Sequence, residues 1–482
     1  MSNSLEDHDV VLTINNDVSI CTTTNQDILN ILWQSLRFRD RNYFHNRRYK
    51  QKLWDGYIDF FNKTSGKFLT GLLPEVILVI KHHNLKISYN DKRAKTKFAV
   101  ESIDKDYLKF KNPSLELHDY QVDFVNQIIK HKRGVIYAPT SAGKSFIMVS
   151  IIKSLPPNTP ILVLQNRVGL ASQNYEEIKS WDIPNVGCLW GKEVNPNIIT
   201  VASVQSISKI ENLLPKIKVL IVDEIHDMMS SGPKSVYKKL KGTDIRVALS
   251  ATPFKFGEKD KVQKYGVKGF FGPVLKTNSV ESGILTTKEL QNRGILSASK
   301  GYFIPVKSPD LPHDIYIDAV TRGIAENNEF HDMVKEIAIR QKGRTLILVD
   351  RIAHGDTLHK IIPNSLWVQG KDDSATRKFV IKELQHSKEN LIAIATQQIF
   401  NTGINVFLHQ LINAAGGQAD HQIIQRMGRG LRVSSDKEDL KYFDFIFDIN
   451  PYLLEHSKKR IKILKDQGHI IKEVTLDEAL IV

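Results

Sequence analysis

The chain has little cysteine: Cys21 and Cys188 are its two thiols in 482 residues. A pair so widely separated offers neither a disulfide framework nor zinc-ligand spacing, and it suits a reducing compartment, the cytoplasm (a host cytoplasm if the source is viral). Long apolar runs are also lacking. None approaches the roughly 20 residues that a helix needs to cross a bilayer, so no membrane partner is expected. The N-terminal MSNSLEDHDV is polar and acidic, unlike a signal peptide. No repeat of solenoid period and no low-complexity tract is present. Negative charge is in short supply. Against 67 Lys and Arg stand 53 Asp and Glu, leaving a net charge of +14. An excess of that size favours a polyanionic partner, nucleic acid ahead of a membrane surface.

What is present reads as three blocks, and the length is that of about three domains. Residues 8–22 alternate apolar and polar side chains, with Asn15-Asn16-Asp17 as a hairpin turn. Ile28, Ile31, Leu32 and Leu36 recur at helical spacing. A helix is expected near 73–84, a strand near 85–89, an exposed charged connection at 90–97 and a linker at 103–114. These residues make a small α+β domain over 1–110. From Leu115 the pattern changes to helices alternating with short apolar runs at 134–139, 160–165, 198–203, 219–224 and 246–251. After a less regular span at 254–312 it restarts, with runs at 345–350, 365–370, 391–396, 410–415 and 443–448. Runs this short and rich in β-branched residues are strands buried on both faces of a parallel sheet. Two consecutive α/β domains, 111–300 and 301–482, are therefore expected.

YAPTSAGKSFIM, from Tyr137, ends one such strand and opens a helix. Ligands of open α/β sheets gather at the carboxyl ends of the strands. There the loop Pro139-Thr140-Ser141-Ala142-Gly143 would wrap a phosphate chain, with loop amides and the helix N-terminus as donors. Gly143 permits close backbone approach, Lys144 sets a charge near the β- and γ-phosphates, and Ser145 offers a hydroxyl to Mg²⁺. Ala138 stands where such loops usually carry their first glycine; a small residue serves if its φ stays negative. A second apolar strand, in VLIVDEIHD, ends on Asp223 and Glu224. One carboxylate there can hold Mg²⁺ through water while its neighbour polarises an attacking water. The expected ligands are ATP and Mg²⁺. His226 reads either as a link from this site to the next loop or as a surface histidine.

These segments resemble the ordered motifs of the superfamily 2 helicases and translocases. APTSAGKS is similar to their motif I, DEIH to a DExH-type motif II, and SATP at Ser250–Pro253 to motif III. LHDYQ (117–121) is similar to the upstream adenine-recognition element, which implies that Gln121 reads the base edge. LVLQNRVGLASQ (162–173) resembles motif Ia, with Gln165-Asn166 in place of the more frequent Pro-Thr, and VASVQSI (201–207) resembles the strand-binding motif that follows. ATQQIFNTGINV (395–406) is similar to motif V, with Asn405 where Asp is frequent, and QRMGRGLR (425–432) to motif VI. The resemblance covers roughly residues 115–450. It implies an α/β architecture of two tandem RecA-like parallel-sheet motor domains, preceded by the small α+β N-terminal domain. It also implies that Gly403 and Asn405 lie at the nucleotide and that Gln425, Arg429 and Arg432 are catalytic. Arg429 and Arg432, three apart and so on one helix face, would be arginine fingers. A motor should grip phosphates rather than read bases. The motif positions suggest Arg167, Ser203, Gln205, Gly370, Thr396 and Thr402 for that contact.

The segment LRFRDRNYFHNRRYKQKLWDGYIDFF (36–61) crowds basic and aromatic residues together, with Asp40 the one acid set against them in the basic run. Arg47, Arg48, Lys50 and Lys52 can neutralise phosphates, and Trp54 and its aromatic neighbours can stack on bases or pack a small core. KLWDGYIDFFNKTSGKFLTGLLPEV resembles the small N-terminal domain of phage UvsW-type helicases, and DFIFDINPYLLEHSKKRIKILKDQG resembles the end of that motor. The implied activity is an ATP-dependent DNA helicase that remodels forks, Holliday junctions and displacement loops. Its partners would be single-stranded and branched duplex DNA; a monomer is compatible with the sequence. An RNA helicase, the motor subunit of a restriction system and a branched-DNA binding protein with weak ATPase stay open as alternatives. The motor is expected to fold without residues 1–110.

Overall fold

The apolar runs of the second block are strands in the computed structural model, which describes residues 8–254, 260–306, 315–387, 389–400, 406–417 and 439–482. They are Arg133–Tyr137, Ile161–Gln165, Ile199–Ser203, Val219–Asp223 and Ile245–Ser250. Three elements that the apolar pattern does not announce, Val186–Trp190, Glu193–Asn195 and Val274–Leu275, complete a sheet of eight strands among the described residues. From one edge the order is 193–195, 186–190, 199–203, 161–165, 219–223, 245–250, 133–137 and 274–275. All pairs are parallel except the antiparallel edge strand Glu193–Asn195. The central strands Ile161–Gln165, Ile199–Ser203 and Ile245–Ser250 are buried at every residue, as a parallel sheet covered by helices requires.

A second sheet has seven strands among the described residues, all parallel, ordered 366–368, 391–396, 344–349, 410–413, 439–447, 298–306 and 470–473. Ala298–Val306 lies in the span that reads as irregular, and it contains Pro305. The proline fits because the edge strand Ile470–Glu473 pairs only with Lys300–Phe303, so Pro305 lies beyond the reach of that ladder. Two compact units result. One comprises Met1–Ala138 and Gly143–Ile284, the other Pro139–Ala142 and Leu285–Val482.

The second unit holds a fully buried ion pair. Arg460, on the helix Pro451–Asp466, donates from Nε and Nη2 to the two oxygens of Asp444 at 2.9 Å each, and neither side chain is exposed. Its remaining donors reach the carbonyls of Gly416 and Gly417, both at 3.1 Å, and of Phe445 at 2.9 Å. Tyr442 and Asn413 donate to the same carboxylate. Every polar atom thus has a partner, the condition under which a buried charge pair is tolerated.

Residues 8–91 form the predicted hairpin, Val10–Ile14 with Val18–Thr22, extended by Lys67–Leu69 and by the parallel strand Ile87–Asp91. The helices Gln26–Ser35 and Leu73–His82 pack against each other and bury Ile28, Leu29, Leu32, Val76 and Ile80 in the same small core. Arg37–Arg39 pairs separately with Tyr57–Asp59.

This block is joined to the first motor sheet more closely than a linker suggests. The helix Lys261–Phe271 serves two cores. Val267, Phe270 and Phe271 face the motor, while Tyr265 packs on Phe38 and Phe60 of the N-terminal block. Gly71 passes so near this helix that a Cβ on it would lie 2.0 Å from the Lys268 carbonyl oxygen. Lys268 and Glu75 form a mostly buried ion pair at 2.7 Å. The turn residue Asn16 is itself buried. Its side chain donates to the Lys241 carbonyl at 3.2 Å, and its own carbonyl accepts from the buried Arg133. Burial, with Arg246 alongside, holds the Arg133 guanidinium well below the usual arginine range. The charged connection at 90–97 is also tied down, through the Thr96 amide and hydroxyl on the buried Asp244. In the presumed linker, Ile103 and Leu108 are buried and Asn126 bonds both backbone groups of Ile103.

Both thiols are buried. Cys21 lies in the N-terminal sheet and Cys188 in the Val186–Trp190 strand. Burial pushes Cys21 up to about 12 and raises Cys188 as well.

Candidate functional site

Arg133–Tyr137 runs into the loop, and the helix Lys144–Lys153 starts directly after Gly143. Gly143 sits at φ +75, and a Cβ there would come within 2.2 Å of Gln121 Nε2. The left-handed backbone at this position favours glycine, and a larger residue would also have to displace the Gln121 amide. Ala138 is buried, its φ is not in the positive region, and its amide donates to the Ser250 carbonyl at 3.1 Å. The substitution at the loop's first position is thus accommodated in the manner the sequence suggests.

Val219–Asp223 is separated from the loop strand by Ile245–Ser250, and the three carboxyl ends bring the key side chains together. Lys144 Nζ lies 3.1 Å from Glu224 Oε1. Ser250 donates to Glu224 Oε2 at 3.2 Å and contacts His226 Nδ1 at 2.9 Å. His226 is buried, so it is a link to the third-motif strand rather than a surface histidine. Gln165 Nε2 donates to Asp223 Oδ2 at 3.2 Å. The glutamine that replaces the more frequent proline of motif Ia thus orients the acid expected to face the metal. Motif comparison registers that departure but assigns it no partner.

The two acids are pushed apart. Burial raises Asp223 above the usual carboxylate range, helped by the charge of Glu224. Burial also opposes ionisation of Glu224, but Lys144, His226 and the Ser250 hydrogen bond together outweigh it and hold this carboxyl below its usual value. Gln121 is buried at the start of the helix Asp119–His131. Its Oε1 accepts the His118 amide at 2.9 Å while its Nε2 faces Gly143. Beside the acids, a cavity of 350 Å³ is lined by Asp40, Arg41 and Asn42 of the N-terminal block together with His226 and Asp227.

The family described as "Type III restriction enzyme, res subunit" matches residues 114–255, the stretch that carries these groups. The ATP-dependent DNA helicase uvsW of Enterobacteria phage T4 is 24% identical over 403 residues, covering 76% of this chain and 78% of its own. The DNA 3'-5' translocase XPB2 of Sulfurisphaera tokodaii is 26% identical over 366 residues, covering 68% and 80%. Over this stretch and beyond it the chain is similar to superfamily 2 helicases and translocases. Among solved structures, S. cerevisiae Dbp5 bound to RNA and ADP BeF3 shares the fold, with a TM-score of 0.54, 14% identity and coverage of 77% of this chain and 93% of that one.

The relatives named here are a DNA helicase and a DNA translocase, and the strand contacts expected of this chain fall in three places. Arg167 and Gln205 follow the adjacent strands Ile161–Gln165 and Ile199–Ser203, and Gln205 donates to the Asn166 carbonyl at 2.8 Å. Ser203 ends the second of these strands, but it is buried and its hydroxyl donates to Ser206 at 3.2 Å. In the other sheet Gly370 and Thr396 lie at the carboxyl ends of neighbouring strands. Gly370 is exposed, and Thr396 Oγ1 is buried without a partner. Arg47, Arg48, Lys50 and Lys52 are exposed on the N-terminal block, with Trp54 part-buried beside them. Arg37 of the same segment is committed elsewhere, paired with Asp55 and Asp59 and stacked between Trp33 and Tyr57. Thr402, Gly403, Asn405, Gln425, Arg429 and Arg432 lie outside the described residues.

Glu224→Gln tests the acid pair. The amide cannot take a proton from water, so turnover should fall about 100-fold or more. It also frees Lys144 from its carboxylate, so ATP affinity should hold or rise. Loss of nucleotide binding, read by a fluorescent ATP analogue, would make Glu224 a structural residue instead.

Proposed function

We propose that the protein is an ATP-dependent DNA helicase or translocase that remodels branched DNA. The observation that carries the reading is the convergence of Lys144, Glu224, Ser250 and His226 at the carboxyl ends of one sheet, beside a loop whose left-handed turn at Gly143 favours glycine. The names of the phage T4 and Sulfurisphaera relatives, a DNA helicase and a DNA translocase, support DNA as the polymer.

In this reading Gly143 and the start of the Lys144–Lys153 helix take the phosphates, Lys144 exchanges Glu224 for them, and Gln121 meets the base. Glu224, ionised because its neighbours favour the charge, accepts a proton from the attacking water. The donor set fits Mg²⁺, an oxygen-seeking cation: Asp223 and Ser145 would hold it, and it would draw off charge between the β- and γ-phosphates. Arg429 and Arg432, with Gln425, would meet transition-state charge, and Gly403 and Asn405 would line the nucleotide. Arg167, Gln205, Gly370, Thr396 and Thr402 would follow one DNA strand, with Ser203 shaping its loop. The basic N-terminal segment would hold the duplex or junction. No helix among the described residues is long and apolar enough to cross a membrane.

ATPase rates of the full chain with single-stranded, duplex, forked and four-way DNA and with single-stranded RNA test this. Stimulation should be strongest with forked and four-way DNA, and a labelled four-way junction should be resolved only with ATP. Equal or greater stimulation by RNA would overturn the assignment to DNA; stimulation confined to linear single strands would overturn the branch preference.

A further inference from the structure

The basic N-terminal segment holds more than charge. Phe44, Tyr49, Lys50, Lys52, Leu53 and Trp54 line an open cup of 830 Å³. Phe44 is 50% exposed and Leu53 68% exposed, in a stretch that also carries Arg47 and Arg48. Large apolar side chains left in water on so polar a segment call for a partner.

The cup is held open by its frame. Trp54 Nε1 donates to the Tyr57 carbonyl at 2.6 Å, and the Leu53 amide donates to the Arg48 carbonyl at 2.8 Å. Between them Lys52 adopts φ +57, a left-handed conformation that turns the chain and leaves Leu53 facing outward. The Tyr43 ring stands edge-on to both Phe44 and Tyr49, with centroids 5.7 and 4.7 Å away. Behind it Gly56 packs directly on Tyr43. Trp54, Tyr49 and the backbone that carries Leu53 are therefore held in place before any ligand arrives, which lowers the ordering that opposes binding.

The charge around the cup selects the occupant. Lys50 and Lys52 line it and Arg47 and Arg48 adjoin it, while the one acid of its wall, Asp55, is neutralised by Arg37. Aromatic faces flanked by cations take a base and its phosphates. An intact duplex offers phosphates but keeps its base faces stacked; an unpaired nucleotide offers both. We propose that this cup binds an unpaired DNA base where strands part, so that the N-terminal block recognises a branch by its unstacked nucleotide as well as by its phosphates. The proposal rests on the nucleic-acid function given above.

The test uses the full chain and two DNAs of equal length, a fork with 2-aminopurine at the branch and a perfect duplex with 2-aminopurine at its centre. Wild type should change the fluorescence of the fork probe and leave the duplex probe nearly unchanged. The double variant Phe44→Ala, Leu53→Ala should lose that response and bind the fork about 10- to 100-fold more weakly. Its duplex affinity, salt slope and DNA-free ATPase should stay within twofold of wild type. Arg47→Gln with Arg48→Gln should instead weaken both DNAs and lower the salt slope. Equal loss on fork and duplex by the double variant, or no loss on either while thermal unfolding is unchanged, overturns the cup as a base site. Wild type that binds neither DNA and shows no stimulated ATPase would overturn the nucleic-acid function itself, which separates the two failures.

Discussion

Lys144→Ala should lower ATP turnover by about 10²- to 10³-fold or more while leaving DNA affinity within about twofold. Two losses combine. The charge that would meet the β- and γ-phosphates disappears, and so does the cation 3.1 Å from Glu224. Lys144 is the first of the influences that favour ionised Glu224, so without it the opposing effect of burial weighs more and the carboxyl rises. A general base must be deprotonated to act, and the rate therefore climbs with pH through its pKa. The rising limb of the residual kcat/KM profile, which reports the nucleotide-free enzyme, should move to higher pH in Lys144→Ala. Lys144→Arg should leave that limb near its original place, since the charge is kept, yet still be slow because the fork of the guanidinium does not fit a point-charge position. Near-normal turnover in Lys144→Ala would remove the phosphate loop from the mechanism altogether.

Removing residues 1–110 should destabilise the first motor unit, contrary to the expectation from sequence that the motor folds without them. The cut would strip the Asn16 carbonyl from buried Arg133, Thr96 from buried Asp244, and Glu75 from Lys268. Hydrogen bonds to charged groups contribute about 1.5–3 kcal/mol each, and total domain stability is only about 5–15 kcal/mol. The cut would also uncover Tyr265 and the Leu69 contact with Gly269, and open one wall of the cavity beside His226. The truncated chain should show a lower Tm, or precipitate, and its DNA-free ATPase should fall together with its DNA binding. Gly71→Val in the full chain gives an independent check. Its new side chain meets the Lys268 carbonyl, so it should lower the Tm without removing any charged group. A truncated protein with an unchanged Tm and full basal ATPase would show the interface to be dispensable.

Those contacts also mark where the sequence stopped being informative. The five strands of the first motor sheet that carry its motifs are legible because each is a short apolar run, and the phosphate loop and acid pair because their chemistry sits in consecutive residues. Val186–Trp190 is hidden by Gly187, which interrupts its apolar run, and Ala298–Val306 by Lys300 and Pro305. Docking of the N-terminal block is hidden for another reason. It joins residue 16 to 133, 71 to 268 and 96 to 244, largely through backbone carbonyls and small residues that leave no pattern. The hairpin turn at Asn15-Asn16-Asp17 is readable as a turn; its use as an anchor is not. The Gln165–Asp223 bond is intermediate, since an unusual glutamine at the end of a strand hints at a polar partner without naming it.

The two buried thiols give this molecule a built-in clock for local opening. Cys21 reports on the four-stranded N-terminal sheet and Cys188 on the far side of the motor sheet, and neither reacts until its surroundings part. The rate at which a thiol reagent modifies each in the folded protein therefore measures the free energy of exposing that region. Matched rates would mean that block and motor open as one cooperative body, as their shared helix Lys261–Phe271 implies; a faster Cys21 would mean that the block opens first, ahead of the sheet it is docked on.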